Sequence, residues 1–352
     1  MDRTLSPLDE LRQAGFRLAL RSRVVAALLV RRDRRLALFA SLHASLAFAL
    51  AVYFPVLLFV LGPVLLGVVH VAADVRYLVL RRRLQPWWQS VVVAACVGLV
   101  GLGALERLHW LRPSAGVELW LVLLWAALGV VAGAAQSRAW TRAAIALALV
   151  LAVGTVAAYF PRGFRLLFLH AHNLVALAIW PLFFRTPLRM LSWLRILVLG
   201  AALLLASGVL FRTTLASSGV QQFGVHVLQV SDWVAPVLRA DYAIGVTSAF
   251  VFLQAVHYAI WLSVIPQAEL PGQGTYSFRR SVRSLITDFG RLGLVLLLIC
   301  VAAVLLYACV DAPRASASYL GLAMFHGYLE LVLLLYFWVA GQPLTNGITG
   351  GR

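Results

Sequence analysis

Residues 56–80 read VLLFVLGPVLLGVVHVAADVRYLVL, from Val56 to Leu80. A helix needs about 20 mostly apolar residues to cross bilayer hydrocarbon, and this run supplies them with no polar–apolar alternation that would favour a strand. Its only interior ionisable side chains before the basic end at Arg76 are His70 and Asp74, one helical turn apart and therefore on one face. An ionisable group at the centre of a membrane helix costs about 2.5–3.5 kcal/mol on insertion scales and by default marks a functional site.

The rest of the chain repeats the pattern. Of 352 residues, 62% are hydrophobic and 12% charged, whereas an ordinary soluble domain is near half apolar and a quarter charged. Apolar windows predict about ten spans, at 36–53, 56–80, 90–108, 116–134, 141–160, 164–184, 193–211, 242–265, 291–310 and 317–340. Pro55, Pro113, Pro161, Pro187 and Pro313 stand at their junctions, as helix breakers should. The fold class expected is all-α, a polytopic transmembrane helical bundle over 36–342, preceded by a basic segment 1–35 and followed by a tail 343–352. In the first segment, Ser6-Pro7-Leu8-Asp9 reads as a helix start, and the basic, amphipathic stretch after it as a helix on the anionic cytoplasmic surface. Nine Arg in the first 35 residues are too many for the short basic region of a cleavable leader. The connection 212–241 is expected to lie against the outer surface.

The net charge of +17 comes from 30 basic residues, every one Arg. Without Lys, a retinal or pyridoxal Schiff base and a P-loop lysine are excluded. The Arg residues sit in short loops and set topology rather than bind nucleic acid. With the N-terminus inside, 23 fall on the cytoplasmic side and 7 outside, which predicts both termini in the cytoplasm of a bacterial inner membrane. Cys96, Cys300 and Cys309 form no C-x-x-C pair and read as small apolar packing residues.

Helical rise turns position into depth. Measured from the outer end of each span, His70, His257 and Glu330 lie roughly 20–22 Å down. His43 comes out near 15–20 Å, His326 near 14 Å, His172 near 12 Å and His170 near 9 Å, all approximate. Asp74 is deeper, at about 27 Å. His326 and Glu330 repeat the i, i+4 spacing of His70 and Asp74, and such a pair can give two ligands or one ligand and the carboxylate that orients it. His170 and His172 are about 200° apart around a helix, so one centre takes only one of them; Asn173 shares the face of His170 better. Imidazoles with carboxylates and open coordination positions suit non-haem iron. The expected metal site draws on His70, His257 and His326, completed by His43 or His172, with Asp74 and Glu330 as ligands or as acceptors fixing the imidazole tautomers. A pair of axial histidines on facing helices holding a b-type haem is the alternative. A proton-coupled transporter is a third reading, with Gly62-Pro63 as a helix break, and a scaffold subunit glued by polar contacts a fourth. The partners expected are the bilayer, a lipophilic molecule such as a polyene, fatty chain or quinone, and a partner subunit or second copy that could complete the ligand set.

The stretch Gly67-Val68-Val69-His70-Val71-Ala72-Ala73-Asp74 resembles the histidine–glycine–x–x–aspartate motif of the Brp/Blh-type carotene-cleaving dioxygenases. Only His70 and Asp74 map onto that motif; Val71 replaces the glycine, and a later histidine pair spaced four apart is absent from this chain. The resemblance implies non-haem iron held by histidines of several membrane helices and dioxygen-dependent cleavage of a polyene.

Overall fold

The computed structural model describes residues 6–82, 84–110, 115–183, 189–217, 221–268 and 277–341. The expected tail, 343–352, and Pro271-Gly272-Gln273-Gly274 lie outside them. Among the described residues the chain is helical with no strand; a lone bridge joins Gln222 and Val225.

Two short helices, α1 (Ser6–Ala19) and α2 (Arg23–Leu29), precede α3 (Arg32–Tyr53). Phe54 leaves helical geometry at φ −142° and Pro55 restarts the chain as α4 (Pro55–Leu80), a proline doing at a first turn what its fixed φ and missing N–H suit it for. Pro86 and Pro161 open α5 (Pro86–Arg107) and α8 (Pro161–Phe183) in the same way, with α6 (Ala115–Ser137) and α7 (Trp140–Tyr159) between them. Then follow α9 (Arg189–Ala206), α10 (Phe211–Ser217), α11 (Val227–Val234) and α12 (Ala240–Gln267). The chain ends with α13 (Phe278–Val310), α14 (Ala312–Leu322) and α15 (Met324–Ala340), the last closed by Gly341 in the left-handed region at φ 61°.

Among the described residues, eight helices are long and apolar enough to cross a membrane, nine if the pair Trp193–Ala206 and Phe211–Ser217, bent by 77°, is one span. These account for eight or nine of the about ten spans expected. The window at 193–211 straddles this bend, and that at 164–184 falls on α8 and runs on to residue 184, outside the described residues. In the connection 212–241, α11 packs one face on α12 and buries Val227, Val230, Ser231 and Val234, while Leu228 and Trp233 stay exposed. His226 caps its N-terminus, accepting from the Leu228 N–H, while Gln229 accepts from the His226 N–H in return.

The core is built around α12, of which 78% of the apolar window is buried, and it is flanked by α3, α4, α8, α9 and α11. The other tight seam joins α6 to α15. A Cβ at Gly133 would collide with the Tyr336 carbonyl, so the backbones approach as closely as small residues in membrane interfaces allow. Ser137 donates to the Val339 carbonyl at 2.9 Å and Tyr336 to Gln136 at 2.7 Å. By contrast none of α13 is buried. It breaks at Gly290 (φ 72°), which separates an arginine-bearing segment, 278–289, from the apolar span. That segment is tied to the end of α4, where Asp288 accepts from Arg76 at 2.5 Å and Arg81 at 3.0 Å.

Polar ties gather at the helix ends. Arg76, Arg81, Ser284 and Asp288 meet at one end. At another, Arg165 donates to Glu118, Tyr328 donates to Glu118, and Arg107 reaches the Ala317 carbonyl.

Candidate metal centre

Two of the helices that carry the histidines are irregular where they do so. In α4 the backbone winds as a π-helix over Pro63–Gly67 and again over Val75–Leu80, leaving the α-helical turn Val68–Asp74 between. In α12 another π segment, Ile260–Val264, follows His257. Such bulges recur at functional sites. One extra residue in a turn rotates everything after it by about 100°, and so re-aims side chains that an unbroken helix would spread around its circumference. Pro63 therefore does not break α4, as expected, but opens a wider turn. The third contributing helix, α15, begins just before His326, after a break at Ala323.

Four imidazoles converge. The His70 ring lies 4.7 Å from that of His326 and 5.1 Å from that of His257, centroid to centroid. His172 closes the group from α8, at 5.1 Å from His326 and 5.2 Å from His257. Every one is buried, His70 and His257 completely. One ligand atom from each of His70, His257 and His326 lies within 4.8 Å of the others, so these three could hold one metal ion.

The backbone sets their tautomers. Nδ1 of His70 bonds the Gly67 carbonyl at 2.8 Å, Nδ1 of His172 the Leu169 carbonyl at 3.1 Å, and Nδ1 of His326 the Ala323 carbonyl. A carbonyl can only accept, so each Nδ1 carries the hydrogen and each Nε2 of the neutral ring keeps its lone pair. Nε2 of His70 and of His326, and both ring nitrogens of His257, are buried without a hydrogen-bond partner.

The carboxylates are as secluded. Asp74 and Glu330 are fully buried. Oδ2 of Asp74 is 3.6 Å from Nε2 of His70, and Oε1 of Glu330 is 3.8 Å from Nε2 of His257, both too long for hydrogen bonds. Glu330 accepts one bond, from Trp261 Nε1 at 2.9 Å, while its Oε2 and both oxygens of Asp74 have no partner. Buried polar atoms are nearly always paired, and unpaired buried charges cost far more than unpaired neutral groups. Orphaned lone pairs on two imidazoles, a third unbonded imidazole and two carboxylates therefore fit a cation: the donors are of the right kind, and two negative charges would balance a divalent ion.

Aromatic rings seal the cluster. Tyr258 lies 4.4 Å from the His70 ring, and the Tyr319 hydroxyl is 3.5 Å from His70 Nδ1. Tyr319 is the residue that sequence reasoning missed; a phenol inside the apolar window 317–340 was its only signal. A Cβ at Gly67 would collide with the Tyr319 ring, so this position needs glycine for the close approach of α14.

The expected residues are not all brought together. His43 is exposed, with Nδ1 on the Phe39 carbonyl at 2.7 Å, and joins none of the ring contacts of the cluster. Depth along α3 says nothing about which face it occupies. His170 turns away, its Nε2 2.9 Å from the Val234 carbonyl. Between the two α8 histidines the cluster takes His172, with Asn173 buried beside it and its Oδ1 unpartnered.

Fold and site together define an all-α polytopic helical bundle with a possible three-histidine metal site buried among its apolar helices. In comparisons with known proteins, no family model, curated protein or solved structure matched the chain.

Proposed function

We propose that the chain is a membrane-embedded oxidoreductase that uses non-haem iron on a lipophilic substrate, the class of chemistry that the Brp/Blh resemblance implies. The observation that carries this reading is the convergence of His70, His257 and His326, with ligand atoms within 4.8 Å of one another, beside two fully buried carboxylates. Bound iron would supply redox chemistry and coordination positions beyond those the protein fills.

The chain's own residues have separable tasks. His70, His257 and His326 hold the ion, with the His172 ring packed against those of His257 and His326. The carbonyls of Gly67 and Ala323 orient two of those rings so that Nε2 faces the centre. Asp74 and Glu330 neutralise the ion's charge in a setting that excludes water, as ligands or as acceptors beside the imidazoles. Trp261 holds Glu330 in place, and Tyr258 and Tyr319 close the cluster on the α4 side.

The ring contacts favour a bare ion over haem. Two axial imidazoles must sandwich a flat macrocycle, whereas here each histidine ring is in edge contact with at least two others, which leaves no slot for a porphyrin. The excess of Arg at one set of helix ends supports a bacterial cytoplasmic membrane with both termini inside.

Elemental analysis of the purified full-length protein tests this directly. Near-stoichiometric iron is expected, lost in His257→Ala. A folded preparation containing no transition metal, or a Soret absorption band, would overturn the reading.

A further inference from the structure

A cavity of about 1390 Å³ opens between α1, α3, α4, α12 and α13. That exceeds the roughly 300–1,000 Å³ of ordinary small-molecule pockets and suits a long chain. Its two ends differ chemically. At the mouth stand Arg12, Arg17 and Arg35, with Arg76, which is paired with Asp288, and among the described residues no Asp or Glu lines it. Elsewhere its wall is apolar, with Phe39, Val69, Ala72, Leu262 and Leu297. The wall also includes Ala73, next to Asp74, and Trp261, whose indole N–H is bonded to Glu330 of the candidate metal centre.

The arginines are held at this mouth. Asp9 on α1 accepts from the Phe278 N–H at the start of α13, at 2.6 Å, which docks α1 over the opening and suits a carboxylate at a helix N-terminus. Arg35 is fixed by its bond to the Leu29 carbonyl at 2.7 Å. The buried Nε of Arg12 has no hydrogen-bond partner, so the geometry leaves a donor turned away from water. The cavity at the other end of the bundle has no such imbalance: there Arg107, Arg162 and Arg165 are matched by Glu106 and Glu118.

We propose that this cavity binds an amphiphile with one long apolar chain and an anionic head, a long-chain carboxylate, and that this is the substrate class of the buried centre. The second half rests on the reading proposed above; the binding half does not. A symmetric hydrocarbon would leave the arginine mouth unused. A carboxylate meets it with charge-assisted, bidentate bonds, while the chain lies along the apolar wall towards Trp261.

The test uses the full-length protein in phosphatidylcholine nanodiscs with radiolabelled palmitate as probe. Saturable binding is expected, with hexadecanol competing at least tenfold less well. The double variant Arg12→Gln/Arg17→Gln should weaken palmitate binding at least tenfold with metal content and Tm unchanged. Ala72→Phe should weaken it by filling the chain channel without changing charge. Equal competition by hexadecanol, or wild-type affinity in both variants, would overturn the proposal. Loss of palmitate binding in discs containing phosphatidylglycerol would assign the site to bilayer phospholipid and overturn it too, and displacement by inorganic phosphate alone would show a head-only site. If the protein binds palmitate with this arginine dependence but holds no metal, the metal reading fails alone; if it holds iron and ignores palmitate, this inference fails alone.

Discussion

His70 on α4 and His326 on α15 meet edge to face, their ring centroids 4.7 Å apart and their planes at 86°. Each is pinned through Nδ1 to a carbonyl three residues earlier, and each presents a buried Nε2 with no partner. Alanine at either position should therefore drop bound iron below a tenth of the wild-type level, by plasma mass spectrometry on the purified protein. His170→Ala should keep its iron, because that ring's Nε2 faces the Val234 carbonyl instead. His43→Ala should keep it as well. Loss of metal in the His43 variant would mean that the exposed ring swings into the site.

Gly67 makes a second, independent test of the same geometry. Its carbonyl orients His70, and its missing side chain lets the Tyr319 ring press against α4. Alanine there forces the phenol aside, and overpacking of this sort costs typically 1–3 kcal/mol. Gly67→Ala should lower Tm and weaken iron retention together, and Tyr319→Phe in the same background should not restore either, since the ring, not only the hydroxyl, is in the way. An unchanged Tm would show that α14 gives at no cost.

Glu330 and Trp261 separate holding the ion from shaping its surroundings. Trp261→Phe removes the one hydrogen bond that Glu330 accepts, 2.9 Å long, while keeping an aromatic ring in the wall. Loss of a partner that orients a ligand group typically costs 10–100-fold in metal affinity. Competition with a calibrated chelator should show a loss in that range for Trp261→Phe and a greater one for Glu330→Gln, which also removes a charge. Equal affinities in both variants and wild type would place Glu330 outside the centre's electrostatics.

The sequence carries these relationships unevenly. Depth along a span follows from counting residues: His70 and His257, expected at one level, do lie together, and His326, expected higher, joins them. Rotation about a helix does not follow from counting, and this is why His43, at a suitable depth on α3, ends on an exposed face. The choice between His170 and His172 was open for the same reason. The π segments at Pro63–Gly67, Val75–Leu80 and Ile260–Val264 left no trace in an apolar pattern, because one extra residue per turn changes phase, not composition. Helix existence was legible from apolar length; the bend that divides α9 from α10 was not, since both arms are apolar enough to read as one window.

Topology can be checked at the two sets of helix ends. Arg162 lies at the end where Glu118 and Arg165 meet, and Arg279 on the segment tied to Arg76 and Arg81. The asymmetry of Arg puts the first outside and the second in the cytoplasm. In cells expressing Arg162→Cys, a membrane-impermeant maleimide should label the intact cell. With Arg279→Cys it should label only after permeabilisation. The reverse pattern would invert the orientation of the whole bundle while leaving the site unaltered.

Asp288 tests how the exposed helix α13 is held. It is the shared acceptor for Arg76 and Arg81, and both arginines also donate to Ser284, at 2.7 and 2.6 Å. With side chains 13–28% exposed, the network is neither bare to water nor fully desolvated, so the gain per bond is intermediate. Hydrogen bonds to charged groups contribute about 1.5–3 kcal/mol. Asp288→Asn keeps the shape and removes the charge, and should destabilise the bundle by about 1–2 kcal/mol, near the low end because the amide can still accept. Asp288→Ala should cost more and should raise proteolytic cleavage near Gly290, where φ of 72° already marks the break between the two parts of α13. If cleavage and Tm match the wild type in both variants, α13 is held by lipid rather than by this ionic tie, and the mouth of the arginine-lined cavity owes its shape to something other than the docking of residues 278–289.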